Sequence, residues 1–166
     1  DDGSGDGTFE IAEAFKDQFH GFELKILSQQ NLGAGAARNR ATHEATGDWL
    51  AFLDADDEWF PEKLAISMKA INKHNLILVA HNYFAINKGR KKLVDCTARY
   101  NAATDPYRGL YREGFLATSS VVVRRDAVLD AGGFDETLET AQDFDLWLKI
   151  LKKEGASFRV KPDALL

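Results

Sequence analysis

Apolar side chains along the chain follow two rhythms. From Phe9 they recur at Ala12, Phe15 and Phe19 behind a glycine-rich opening with Thr8 as candidate N-cap, which predicts a helix over 9–19. Phe22-Glu23-Leu24-Lys25-Ile26 alternates as a half-exposed strand does. After Asn31-Leu32-Gly33-Ala34-Gly35, an alanine-rich stretch to Thr46 predicts a second helix, closed by Gly47. Trp49 to Leu53 is apolar throughout, as a strand covered on both faces is, and stops abruptly at Asp54-Ala55-Asp56-Asp57. Pro61, at a first-turn position, starts a helix that runs to about Asn75. Strands are predicted over Leu76 to Tyr83 and Ser119 to Val123, with a loop-rich stretch, Asn87 to Phe115, between them. A helix from Asp126 to Ala131 ends at Gly132-Gly133. A last helix begins near Asp143, presents Leu146, Trp147, Ile150 and Leu151, and stops at Gly155 before a short strand around Phe158 to Val160.

Repeated alternation of strand and helix implies an α/β sheet with parallel strands. With 166 residues, 45% of them hydrophobic, the chain is expected to form one domain, 1–166. An Asp-Asp-Gly-Ser turn that leads into a helix belongs at the carboxyl end of a strand. The chain is therefore expected to be an excerpt, lacking a strand ahead of Asp1 and a terminating signal after Leu165-Leu166.

The 26 acidic and 21 basic residues give a net charge of -5, and the dense basic run Lys88-Gly89-Arg90-Lys91-Lys92 reads as a solvated turn. Binding along a nucleic-acid backbone is excluded as the main function. Cys96 is the single cysteine, so an intrachain disulfide is excluded and a reducing compartment is expected. Nothing resembles a signal peptide or approaches the apolar length of a membrane crossing.

Ligands of open α/β sheets gather outside the carboxyl ends of the strands. Asp1-Asp2, Asp54-Ala55-Asp56-Asp57, Asp135-Glu136, and Asp143 with Asp145 are all expected there, in one cleft. So many carboxylates repel one another unless a divalent cation or a donor-rich ligand sits among them. "DGSGDGTFEIAE", from Asp2, has the spacing of a calcium loop, with Asp2, Ser4, Asp6, Gly7 and Glu13 at the ligand and turn positions. The helix that should precede such a loop is missing. His20, His43, His74 and His81 lack zinc spacing, and no serine-hydrolase set is visible.

Five segments, "DDGSGDGT", "NLGAGAARNRA", "WLAFLDADDEWFPEKL", "SSVVVRRDAVLDAGGFDE" and "AQDFDLWLK", in this order and spacing, resemble the family 2 glycosyltransferases, inverting enzymes of the GT-A fold. The resemblance spans nearly the whole chain. It implies a Rossmann-like, mostly parallel sheet with flanking helices and a metal-dependent transfer of sugar from a nucleotide-diphosphate donor, a UDP-sugar above all, to an acceptor hydroxyl. It implies that Asp2 accepts from the imide N–H of a uracil-like base with Asp1 nearby, and that Arg38 lies by the base or diphosphate. Asp54 and Asp56 resemble the family's Asp-x-Asp pair, with Asp56 the direct ligand of Mg²⁺ or Mn²⁺ and Asp54 nearer the ribose. Asp143 resembles the catalytic base, although Gln142 stands where the family more often has Glu. Asp57 is either a partner of the metal ligands or a helix-start charge, Asp145 and Trp147 orient or pack, and Thr118, Ser119 and Ser120 either face the acceptor or are strand-start hydroxyls. The implied partners are the donor and a carbohydrate or lipid-linked acceptor in cell-surface polysaccharide or glycoconjugate synthesis. The expected location is cytoplasmic, at the inner membrane face where parts outside this chain attach it. A non-catalytic calcium- or nucleotide-binding module and a nucleotidyltransferase are the rival readings.

Overall fold

The computed structural model describes residues 1–18 and 20–166. Helix α1 (Thr8–Ala14) is followed by a 3-10 turn, Lys16–Gln18, and Phe19, where the predicted helix was to end, lies outside the described residues. The chain continues through α2 (Ala34–Glu44), β1 (Trp49–Ala51), α3 (Lys63–His74), β2 (Leu78–Asn87), β3 (Arg90–Val94), α4 (Cys96–Ala102) and α5 (Pro106–Glu113). A 3-10 turn, Thr118–Ser120, then leads to β4 (Val122–Arg124), α6 (Arg125–Asp130), α7 (Gln142–Leu151) and β5 (Phe158–Ala164).

The architecture is α/β, as expected, but the ladders are mixed. β1 pairs antiparallel with β4, β4 antiparallel with β2, and β2 antiparallel with β3, while β2 and β5 pair in parallel. β1, β2 and β5 thus run one way, as alternation predicts, and β4 is inserted against them. Strand alternation shows which residues are buried on both faces; it does not show the direction in which a strand returns.

The apolar strands are covered on both sides. Leu78, Ala80, Val121 and Val123 join the larger core with Phe115, Phe134, Leu146, Trp147 and Ile150. Val79 and Val122, one residue out of phase, face Ala70, Ile71 and Leu76 at α3. A period of two on a two-faced sheet produces the uninterrupted runs seen in the sequence.

Two expectations are corrected. Residues 22–26 form no strand; nearby pairing consists of Asp1 N donating to Leu27 O at 2.7 Å and Gln29 N to Asp1 O at 3.1 Å, the pattern of a parallel ladder. The stretch 87–115 contains β3, α4 and α5 rather than loop. Lys88 (φ 48°) and Gly89 (φ 74°) make the tight turn of the β2–β3 hairpin, which needs two positive φ angles. Asp95 caps α4 by accepting from Ala98 N, and Asp105 followed by Pro106 caps α5. Among the described residues no helix is long and apolar enough to cross a membrane.

Candidate active site

Asp2 anchors the opening turn. Its Oδ1 accepts from Leu32 N at 3.0 Å and Gln29 Nε2 at 2.8 Å, and its Oδ2 accepts from Gly33 N at 2.8 Å. The Leu32 amide, then Gln29, hold this carboxyl below its ordinary pKa. Gly33 N-caps α2, so Asp2 fixes the entry to that helix. Asp1 accepts from Ser4 N, three residues on, at 3.3 Å. The other candidate calcium ligands have partners of their own: Asp6 accepts from Thr8 and Glu13 pairs with Lys16 at 3.0 Å.

From α2, Arg38 reaches Asp54, with Nη2 to Oδ1 at 2.5 Å, and its guanidinium lies 5.5 Å from the Phe134 ring centre. Asp54 N donates to Ser119 Oγ at 3.0 Å. The neighbouring Thr118 donates its hydroxyl to Asp143 Oδ2 at 3.0 Å, and Phe144 N donates to Asp143 Oδ1 at 2.8 Å. A continuous path of contacts therefore joins Asp2, Gly33, α2 with Arg38, Asp54, the 118–119 turn and Asp143. Thr118, Ser119 and Ser120 are buried; Thr118 and Ser119 meet Asp143 and Asp54, and Ser120 Oγ donates to Ala117 O.

Asp56 stands off this path, exposed, within the turn closed by Asp57 N donating to Asp54 O at 3.1 Å. It lines a cleft of about 650 Å³ with Trp59, Phe60, Tyr83, Phe84 and Lys91. Asp143 lines an adjoining cleft of about 490 Å³ with Tyr111, Arg112, Gly114 and Phe144, and the two clefts share Tyr83 and Ala117. Asp2 and Asp135 line neither, so the expected single gathering of all four acidic motifs resolves into Asp56 and Asp143 at adjoining clefts and two motifs with structural contacts.

Among the described residues no group of three or more His, Cys, Asp or Glu side chains is placed to hold a metal ion. Asp56 is exposed, and Asp54 Oδ1 is paired with Arg38 Nη2.

Below the site, Phe52 and Phe134 meet edge to face at 5.3 Å, and Trp147 of α7 lies 6.1 Å from Phe134 and 6.3 Å from Phe52. This cluster fixes α7 against the strand end that carries Asp54. Asn39, not singled out from the sequence, clamps the loop holding Phe134: it accepts from Phe134 N and donates to Phe134 O, both at 2.8 Å, and also donates to Glu136 Oε1. Asp135 accepts from Thr137 N at 3.0 Å. Gly35 brings α2 against Gln142, where a Cβ would meet Nε2 at 2.8 Å.

The chain belongs to Glycosyl transferase family 2, whose model matches residues 1–132. It is 31% identical over 159 residues to UDP-Glc:alpha-D-GlcNAc-diphosphoundecaprenol beta-1,3-glucosyltransferase WfgD of Escherichia coli, covering 95% of this chain and 58% of that protein. It is 28% identical over 158 residues to Amylovoran biosynthesis glycosyltransferase AmsB of Erwinia amylovora, covering 90% of this chain and 52% of that protein. The chain thus spans about half the length of these relatives. Its fold matches the crystal structure of S. aureus TarS in complex with UDP, with a TM-score of 0.73 and 22% identity over 99% of this chain and 48% of that one. The GT-A expectation stands; the strand directions within it are the mixed set described above.

Proposed function

We propose that the parent protein transfers a sugar from a nucleotide-diphosphate donor, a UDP-sugar, to an acceptor hydroxyl with inversion, in the synthesis of a surface polysaccharide or glycoconjugate. The observation that carries this reading is the contact path that brings Asp143 and Asp54 to opposite ends of one two-residue hydroxyl pair. A nucleotidyltransferase needs no base set apart from the phosphate-holding acids, whereas glycosyl transfer to a hydroxyl does. The relatives' named chemistry, glucosyl transfer from UDP-Glc and amylovoran biosynthesis, supports the donor and acceptor classes.

In this mechanism Asp143 takes the proton of the acceptor hydroxyl as its oxygen attacks the anomeric carbon from the face opposite the diphosphate. Thr118 and Phe144 N each occupy one lone pair of the carboxylate, leaving another on each oxygen for the acceptor. The acceptor enters the cleft walled by Tyr111, Arg112 and Phe144. Arg38 places positive charge beside Asp54, at the donor end, and Asp2 holds the turn where the base would dock and keeps acceptor capacity for its imide N–H. A divalent cation, Mg²⁺ or Mn²⁺, held by Asp56 would neutralise charge on the departing diphosphate. A screen of nucleotide sugars for hydrolysis and transfer by the full-length protein tests the proposal. Turnover of a UDP-sugar that stops with EDTA and resumes with Mn²⁺ is expected; exclusive use of a nucleoside triphosphate would contradict it.

A further inference from the structure

We propose that the buried turn Thr118–Ser120 sets the register between the proton acceptor and the donor-holding loop, with Thr118 positioning Asp143 and Ser119 positioning Asp54. The inference rests on the reading of Asp143 as the base and names two positioning residues for it.

The turn is secured without these two hydroxyls. Trp59 Nε1 donates to Ser119 O at 2.9 Å, Lys63 Nζ donates to Ser120 O at 3.0 Å, and Ser120 Oγ donates to Ala117 O at 2.7 Å. Lys63 is 1% exposed and its ammonium lies 5.2 Å from the Trp59 ring centre, so the start of α3 and the preceding loop grip the turn from its carbonyl side. The two remaining hydroxyls point elsewhere. Thr118 Oγ1 meets Asp143 Oδ2 at 3.0 Å, and Ser119 Oγ receives Asp54 N at 3.0 Å. Adjacent residues thus hold one group at the acceptor end and one at the donor end of the site. A fixed turn between them sets the separation of attacking and leaving groups, the quantity to which displacement rates are most sensitive.

Thr118→Val removes the donor at nearly constant volume. In the full-length protein, with the nucleotide sugar selected by the screen above, it should lower kcat by about 10- to 100-fold, since small misplacements of a reacting group have effects of that size. The donor KM should stay within about twofold, because the change touches no donor contact. Thr118→Ser keeps the hydroxyl and should recover most of kcat. Ser119→Ala removes the acceptor of Asp54 N and should raise the Kd of UDP with Mn²⁺ by calorimetry. Added to Asp143→Asn, Thr118→Val should cause no further loss, since the group it orients no longer accepts a proton.

If Asp143→Asn loses activity but Thr118→Val keeps kcat, the positioning role is wrong and the base assignment stands. If Asp143→Asn itself keeps kcat, the base assignment fails. An equal loss from Thr118→Val in both backgrounds would make Thr118 a structural brace and overturn the inference. Should the valine variant fail to fold, Thr118→Ala supplies the same comparison without a buried branch, and its folding is checked by its melting temperature.

Discussion

Arg38 Nη2 lies 2.5 Å from Asp54 Oδ1, so the arginine of one sequence motif and the first acid of another form a single ion pair. Both side chains are partly exposed, at 21% and 34%, which makes the pair a modest source of stability and a larger influence on the charge that a ligand meets. Arg38→Met should lower the affinity for UDP by about tenfold, on the order expected for losing one charge-assisted contact and leaving Asp54 uncompensated, with little change in melting temperature. Calorimetry and thermal melting check the two halves; unchanged UDP affinity would separate this pair from the donor site.

Asp56 has no cationic partner among the described residues. Asp56→Ala should abolish the dependence of UDP affinity on Mn²⁺, whereas Asp54→Asn should retain part of it. Titrations of UDP with and without EDTA distinguish them, and a Mn²⁺ effect of full size in Asp56→Ala would remove Asp56 from the metal assignment.

Asn39 holds the Phe134 loop by two backbone contacts, and Gly133 (φ 74°) leaves space that the Asn39 amide fills, a Cβ there falling 2.5 Å from Oδ1. Asn39→Ala should destabilise the protein by about 1 to 3 kcal/mol, the range for leaving partly buried backbone groups unpaired. Gly133→Ala combines an unfavourable φ with that overlap and should also destabilise. Urea unfolding checks both; wild-type midpoints would show that the loop is held elsewhere.

His81 supplies a pH dependence. It is fully buried, its Nε2 lies 2.7 Å from Ser67 Oγ, and Ser67 donates to Lys63 O, so His81 donates and its Nδ1 has no partner among the described residues. Burial, with the charges of Lys63 and Lys161 adding to it, lowers its pKa to about 3. Below its ordinary value of 6.5 the unfolded chain takes a proton that the folded chain refuses, so stability is lost as pH falls from about 6.5 toward 3. Urea unfolding of the wild type and of His81→Leu at pH 7, 5 and 4 should show a fall in the wild type that the variant lacks, approaching about 1.4 kcal/mol per pH unit. Parallel profiles would contradict it.

Helices α2, α3 and α7 were legible because Ala-rich spacing, Pro61 and the Leu146–Leu151 stripe mark them directly. β3 was not, because Arg90-Lys91-Lys92 carries no apolar alternation; it gains order from the Lys88-Gly89 turn and from Lys91 lying 3.9 Å from the Phe84 ring centre. α4 and α5 bury few residues, yet Asp95 and Asp105-Pro106 were caps that could have been read. Arg38, Asp54 and Asp143 each stood out by motif, but their connection through Thr118 and Ser119 was hidden, since hydroxyls ahead of a strand look alike whether they face solvent or a carboxylate. Asn39 was missed because its partner lies 95 residues away.

Asp143 sits in the first turn of α7 with one oxygen on Phe144 N and the other on Thr118. Asp143→Asn preserves shape and keeps one oxygen to accept from Phe144 N, with its NH₂ facing the Thr118 hydroxyl oxygen, but it cannot take the acceptor's proton. Measured in the full-length protein with saturating donor and acceptor, kcat should fall by about 10² to 10⁴, or about 3 to 5 kcal/mol of barrier, with the melting temperature and the donor KM nearly unchanged. A kcat within a few-fold of the unmodified protein would contradict the account.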